Sequence, residues 1–576
     1  MPLPTRAALR RRPKDDRVLG LAFILPAGIG LVAFYIWPLI RGVWLSFTEY
    51  NLLTPATFTG VDNYKRMLND SVFWNAVKVT LEYVIINIGV QTAVALLIVV
   101  LMQRLTRSTF MRAIVLTPYL VSNVVVAMLW LWILDNILGI SNEIIRALTG
   151  ESVNFFSSAL AIPTIALINV WRHMGYTALL IFAGLQAIPS TVYEAGKVDG
   201  ASQWTMFWRI TMPLLRPILT LVLIMTIIGS FQVFDTVSVT TQGGPVNATR
   251  VLQYYIYDMA FSRFQFGYAS AMAVGLLKDV RLQGPQEGRP SVGRVLAWIM
   301  MIAILITTVL PLYGVLRTAL SSNAGISSDP ASVLPVDVNV RGFERVFGMQ
   351  TTQEALDDGG SGAAINFWLY LRNSVVVATL VTVGQVFFSA MAACSFARLR
   401  WKGRDLIFGV FLGVLMVPQI FTLLPNFVLV KQLHLVDSLL GVALPTMFMT
   451  PFAVFFLKQF FMNIPRELEE AALLDGASKV RVFLQLILPM AKAPITTLGI
   501  ITYITAWNDY FWPLLVSYTD SSRVLTVAVS VFKSQAPTTD WSGLMSATLV
   551  AALPMLLLFA VFAKRIVNSI GFTGIK

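Results

Sequence analysis

Two short acidic turns carry the side chains of this chain best suited to specific chemistry. The first reads Glu194-Ala195-Gly196-Lys197-Val198-Asp199-Gly200-Ala201-Ser202 and follows Ile188-Pro189. The second reads Glu470-Ala471-Ala472-Leu473-Leu474-Asp475-Gly476-Ala477-Ser478 and follows Ile464-Pro465. Each landmark of the second stands 276 positions after its counterpart (475 − 199), including Phe207 and Phe483 and the closing Met212-Pro213 and Leu488-Pro489. A carboxylate, small residues and an Asp-Gly pair suit a short helix that ends in a sharp turn, because glycine takes backbone dihedrals that other residues resist. These residue types suit a projecting turn and not bond making. Both copies are polar islands between long apolar runs. The pattern points to a duplicated membrane protein with one partner-binding loop per half.

No bond-making constellation is visible in the sequence. His173 and His434 lack a Ser or Cys partner in a triad context. The lone Cys394 lies in an apolar run, which excludes an internal disulfide and argues against a metal site. No G-x-x-x-x-G-K-[ST] phosphate loop occurs, so ATP is not hydrolysed here in that way, and energy must come from a partner or an ion gradient. An ion-coupled secondary transporter would need paired ionisable residues at mid-membrane, which are few. It would also leave the duplicated loop unexplained. A membrane glycosyltransferase would need clustered Asp or Glu at a membrane face, and none is seen.

A second tier of residues suits solute contact. Arg172 and His173 sit inside the apolar stretch 159–185. A charge at membrane depth is costly and faces a bundle interior or a watery cavity, so Arg172 reads either as a pathway residue or as a residue at the outer interface. Its second-half counterpart is the apolar Phe448, so any such role is asymmetric. Phe231, Phe234 and Asp235 end one span, and Trp507, Asn508, Asp509 and Tyr510 end its counterpart. Aromatic faces beside hydrogen-bonding groups suit sugar rings. They equally suit a membrane-interface belt.

The elements that must position these residues are membrane helices. The chain has 576 residues, 56% hydrophobic and 13% charged, against about 25% charged in soluble domains. Apolar runs at 21–40, 81–102, 295–316 and 544–563 are long enough for a hydrocarbon core of about 30 Å. Spanning helices satisfy their own backbone groups. The expected fold is therefore an all-α membrane protein of about twelve transmembrane helices in two homologous six-helix halves. The net charge of +13 collects in short loops, at Arg10 to Lys14, Arg104 to Arg112, Arg398 to Arg404, and Lys564-Arg565. That bias places those loops, both acidic turns and both termini in the cytoplasm. It does not call for nucleic acid. The first apolar run lacks a small-residue cleavage site and reads as a retained span.

The repeat shifts register along the chain and so locates insertions. Pro38 matches Pro311, Gln91 and Arg104 match Gln385 and Arg398, and Pro118 matches Pro418. The shifts put extra residues within 321–367 of the second half, where Asp357-Asp358-Gly359-Gly360-Ser361-Gly362 is turn-rich, and between the third and fourth spans of the first. The resulting division is a tail at 1–18, a first half at 19–277, a cytoplasmic linker at 278–294 and a second half at 295–576. At the sixth span the first half turns polar at Lys278-Asp279-Val280-Arg281, where its twin stays apolar. The remaining apolar segment would cover only about 18 Å as helix. Either this span is short and shielded by neighbours, or the polar run is aberrant sequence at a joint between two reading frames.

The acidic turns resemble the cytoplasmic Glu-Ala-Ala loop of ABC importer permeases. The extended form with Asp-Gly-Ala and a closing Leu-Pro is similar to the carbohydrate, maltose-type branch, and the resemblance runs over nearly the whole chain. Thr241-Gln242-Gly243-Gly244-Pro245 resembles a family turn after the fifth span, with Gln in place of a Gly, and Gly571-Phe572-Thr573-Gly574-Ile575-Lys576 resembles the family's end. Such importers carry two separate permease subunits, whereas this chain resembles both joined head to tail. The resemblance implies a multi-pass permease of the cell membrane, not an enzyme, with two ATP-binding subunits in the cytoplasm, an extracytoplasmic solute-binding protein and a sugar as cargo. ATP and Mg would sit on the partner ATPase, with no cofactor in this chain. Glu194, Ala195, Asp199, Gly200 and Ala201, with Glu470, Ala471, Ala472, Asp475, Gly476 and Ala477, would seat in clefts of the ATPase subunits. A phosphorylated polyol or a polyamine is the alternative cargo.

Overall fold

The computed structural model describes residues 16–571 apart from 106–108, 187, 276–293, 331, 358, 361–364, 416 and 536–539. Helix dominates these residues, and one small antiparallel pair joins Thr48–Glu49 to Thr57–Phe58. In chain order the helices that matter here are α1 (Arg17–Leu45), α2 (Ser71–Leu105), α3 (Thr109–Leu120), α4 (Asn123–Ile133), α5 (Ala161–Gln186), α6 (Ser190–Val198), α7 (Met212–Phe231) and α8 (Phe266–Gly275). The second half supplies α9 (Arg294–Ala319), α10 (Phe367–Arg398), α11 (Arg404–Val414), α12 (Gln419–Gln432), α13 (Leu439–Met447), α14 (Pro451–Met462) and α15 (Arg466–Leu474). It ends with α16 (Lys479–Met490), α17 (Lys492–Asn508) and α18 (Trp541–Gly571).

Seven helical stretches are long and apolar enough to cross a membrane, and four bent pairs bring the number of candidate spans to eleven. The twelfth expected place is held by α8, whose ten residues are mostly buried. The polar run Lys278–Glu287, with both readings of it, and nearly all of the linker 278–294 lie outside the described residues.

The bent pairs mark where the fold departs from a plain bundle. α3 turns into α4 at 96°, and α11 into α12 at 98°. Pro118 lies in the last turn of α3 and Pro418 caps the start of α12. Proline donates no N–H and crowds the carbonyl four residues earlier, so it interrupts a helix where a new cap can take over. At the first break Ser122 Oγ accepts the Val125 N–H at 3.3 Å. The internal repeat also extends to a rarer feature. Phe207–Thr211 and Phe483–Ile487 are both single π-helical turns, and each ends just before the repeated proline, Pro213 or Pro489. A wider turn re-registers the ladder so that the missing proline N–H is not needed.

The two halves exchange their first spans. α1 lies against α10 of the second half, with Gly20 close to Trp401 just beyond α10 and Gly30 close to Phe448 between α13 and α14. Ser395 Oγ donates to Gly20 O at 2.9 Å. Further along, Asn426 Nδ2 donates at 3.1 Å to Phe34 O, within the widened turn Val32–Ile36 of α1. In return α9 packs on the first half, with Trp171 Nε1 donating to Thr307 O at 2.8 Å and Gly314 facing Trp132. One apolar cluster runs across both halves, with members from Met67 to Phe559.

Loops at one end are held by carboxylates. Asp540 is paired with Arg345 in a buried contact and accepts Asn323 Nδ2 at 2.9 Å, which clamps the described part of the second-half insertion onto α18. Asp437 accepts the N–H groups of Tyr518 and Thr519 at 2.8 and 2.9 Å, Thr519 Oγ1 at 2.7 Å, and Ser522 Oγ. Burial alone would raise its pKa, but these donors outweigh it and bring it down to about 2. A carboxyl depressed in the folded state stabilises the fold above its unfolded value of about 3.9 and loses that contribution as pH falls through the folded value. The turn 518–522 is therefore expected to keep its amide-exchange protection at pH 5. It should lose protection between about pH 4 and 2, and Asp437→Asn should lose it already at neutral pH. Equal protection in the variant and the wild type would contradict this.

Candidate functional site

The broken helices meet around a cavity of about 830 Å³ between the halves. Its wall has polar groups set in apolar helices. Gln91 Nε2 donates to Thr177 Oγ1 at 2.7 Å. Its repeat partner Gln385 donates to Thr450 Oγ1 and Thr502 Oγ1 at 3.1 and 3.2 Å. Asn87 Nδ2 donates to Ser230 Oγ at 2.9 Å. An unpaired amide in an apolar medium costs several kcal/mol, and each of these is held by a neighbouring helix.

Arg172 stands on the cavity wall and has a definite structural task. Breaking the helix after Leu120 leaves the last carbonyls of α3 without intrahelical donors. Arg172 Nε donates to Val121 O at 2.9 Å and Nη2 to Tyr119 O at 3.3 Å. Asn508 Nδ2, from the other half, donates to Leu120 O at 2.9 Å. Three consecutive carbonyls at one break are thus served from two helices. His173 Nδ1 donates to Asn169 O at 2.9 Å, and its Nε2 accepts from Arg172 Nη1 at 2.8 Å. The Tyr119 and Tyr176 rings stack beside them at 4.4 Å.

The aromatic candidates divide. Phe234 reaches the cavity and stacks on Phe511 of the other half, centroids 3.8 Å apart. Asp235 also faces the cavity and accepts Asn123 Nδ2 at 2.8 Å. Asn508 and Tyr510 line it too, with the Tyr510 hydroxyl 3.0 Å from Ser530 Oγ. Phe231 packs instead with an apolar cluster around Val79 and Tyr83. Trp507 is buried, and its Nε1 donates to Ala551 O of α18 at 3.4 Å. The cavity therefore gathers Arg172, Phe234, Asp235, Asn508 and Tyr510, and leaves out Phe231 and Trp507. Tyr119, Asn123 and Phe511 were not singled out from sequence. The available signal was the cluster of amides and tyrosines inside apolar runs.

The two acidic turns close in the same way. In the first, Ala201 N donates to Gly196 O at 2.9 Å and Gly200 N to Lys197 O at 3.1 Å. In the second, Ala477 N donates to Ala472 O at 3.0 Å and Gly476 N to Leu473 O at 3.2 Å. This paired 6→1 and 5→2 bonding is the Schellman cap, and it requires a left-handed residue. Gly200 has φ +73° and Gly476 φ +84°. Glu194, Ala195 and Asp199, with Glu470, Ala471 and Asp475, are exposed, while Ala201, Ala472 and Ala477 are half-buried. Val198 and Leu474, at matching positions, are each 88% exposed.

The turns differ in their support. Glu469 pairs with Arg398 Nε at 2.8 Å, and Arg398 also donates to Ile464 O. Burial pushes the Glu469 carboxyl above its ordinary range against the pull of Arg398. The first turn has Gly196 where the second has Ala472. A methyl there would lie 2.8 Å from Ile210 Cδ1, so the glycine lets the following helix pack closely.

Repeated broken-helix halves around one cavity define a duplicated, multi-pass α-helical membrane protein. The family of binding-protein-dependent transport system inner membrane components matches it twice, over residues 88–321 and 385–571, and the chain belongs to that family. It is 34% identical over 279 residues to the probable ABC transporter permease protein YesP of Bacillus subtilis (strain 168), covering 47% of this chain and 90% of that protein. It is 33% identical over 266 residues to the trehalose/maltose transport system permease protein MalF of Thermococcus litoralis, covering 46% and 89%. It is 30% identical over 276 residues to the sn-glycerol-3-phosphate transport system permease protein UgpE of Salmonella choleraesuis, covering 47% and 93%. Nearly a whole relative fits in about half of this chain, so the chain carries two permease units in one polypeptide.

Proposed function

We propose that this chain is the complete transmembrane pore of an ATP-driven sugar importer, with both docking turns in the cytoplasm and a solute-binding protein on the opposite face. The observation that carries the reading is the pair of Schellman-capped turns. Each presents a carboxylate, small residues and, at the same position, a highly exposed apolar side chain, Val198 or Leu474. Two ATP-binding subunits would each hold one turn. ATP binding would draw the turns together and open the cavity outward, and hydrolysis would reverse this. Such a cycle needs each ligand to favour one state. Hydroxyl-bearing cargo fits a cavity walled by Asn, Gln, Thr and Tyr with the Phe234 and Phe511 faces beside them, and the relative named for trehalose/maltose supports that choice. Uptake of labelled disaccharide into vesicles containing the assembled transporter should require both ATP and the binding protein. Uptake driven by an ion gradient without ATP would reject the reading.

The topology carries its own test. Cysteines at Ser202 and Ser478, in a Cys394→Ala background, are expected to resist an impermeant thiol reagent in intact cells and to react in inverted membrane vesicles. Labelling of either from outside would invert the half concerned.

A further inference from the structure

Two of the charges that hold the second docking turn, Glu469 and Lys479, have no charged counterpart in the first. Lys479, which follows the second turn directly, forms an ion pair with Asp16 at the foot of α1. Asp16 also exchanges backbone contacts with the α10–α11 connection: its N–H donates to Arg400 O at 3.1 Å, and its carboxylate accepts the Arg400 N–H at 3.3 Å. With Arg398 on Glu469, the second turn is fastened to α10 and, through Asp16, to the first span of the opposite half. At the matching positions of the first turn, Tyr193 stands for Glu469 and Gln203 for Lys479. Tyr193 turns its hydroxyl to Thr211 Oγ1 at 3.2 Å. α1 then runs from Asp16 to the cavity, which Phe34 and Tyr35 line and where Asn426 grips the Phe34 carbonyl. A helix of 29 residues spans about 43 Å at 1.5 Å per residue.

We propose that Asp16 and Lys479 are positioning residues for energy coupling: their pair makes α1 a rod that carries displacement of the second docking turn to the cavity wall. This inference rests on the permease reading above. An ion pair at this depth is worth little as stability. Its value here is geometric, because it decides which helix moves with the turn.

The test uses the full transporter in proteoliposomes, with its ATP-binding subunits and solute-binding protein, and reads cargo moved per ATP hydrolysed. Asp16→Asn and Lys479→Met should each lower that ratio about fivefold or more, with assembly and basal ATP hydrolysis retained. The exchange Asp16→Lys with Lys479→Asp should restore it. Tyr193→Phe and Gln203→Met should leave it unchanged. A second arm places cysteines at 16 and 479 in the Cys394→Ala background and joins them with a reversible bis-methanethiosulfonate linker. Linking should raise the ratio, and reduction should lower it in the same sample. An unchanged ratio in both single variants, or a linker without effect, would overturn the proposal. A wild-type chain that neither binds nor activates an ATPase would instead defeat the permease reading itself.

Discussion

Replacing Gly476 by proline is expected to abolish ATP-driven uptake while the chain still inserts in the membrane. The residue has φ +84°, and its N–H donates to Leu473 O at 3.2 Å. Proline is fixed near −65° and has no N–H to give. Both bonds that close the turn are therefore lost, and α15 can no longer deliver Glu470 and Leu474 at their present angle to α16. Alanine keeps the N–H but pays about 1–2 kcal/mol for the left-handed conformation, so Gly476→Ala should weaken coupling without destroying it. Gly200, at φ +73° with the same bond to Lys197, should behave alike. The readout is substrate-stimulated ATP hydrolysis in proteoliposomes, beside membrane yield. Normal stimulation in both proline variants would sink the docking-turn account.

Arg172→Met should be the most damaging change on the cavity wall. The methionine fills much of the same volume but leaves Tyr119 O and Val121 O without donors at the α3–α4 break. Hydrogen bonds from a charged group are worth about 1.5–3 kcal/mol each, so a loss of about 3 kcal/mol in unfolding stability is expected. Uptake should fall more than tenfold, a factor that corresponds to about 1.4 kcal/mol. Arg172→Lys should not rescue it, since an ammonium cannot span two carbonyls as a planar guanidinium does. Thermal unfolding in detergent, with uptake measured in parallel, decides the matter. A variant that unfolds and transports like the wild type would show that the break needs no cap from α5.

The repeat, the helical membrane class and the two acidic turns were legible in the sequence because each rests on local pattern: apolar runs, charge bias and a fixed spacing. Even the equivalence of the two turns in three dimensions follows from the repeated Asp-Gly. What was not legible depends on distant contacts. Pro118 and Pro418 stood out as landmarks, yet a proline in an apolar helix can kink it, cap it or be tolerated, and only the neighbours Arg172, Ser122 and Asn508 decide that α3 stops. The exchange of first spans has no local signature, since Gly20 and Gly30 acquire meaning only from Trp401 and Phe448. Phe231 and Phe234 looked like one aromatic patch, as did Trp507 and Tyr510. In both halves the helix ends between the two, at Phe231 and at Asn508, so the first ring of each pair stays with the packing and the second turns to the cavity. Arg172 was legible as a charge inside an apolar run, but its hydrogen bonds go to a broken backbone, which sequence spacing does not reveal.

If one chain supplies the whole pore and both docking turns, native mass spectrometry of the transporter purified from its own membrane should find one copy of this 576-residue chain with two ATP-binding subunits, and both subunits should be lost when Gly200→Pro and Gly476→Pro are combined. Two copies of this chain per complex, or a complex that keeps both subunits in the double variant, would contradict it.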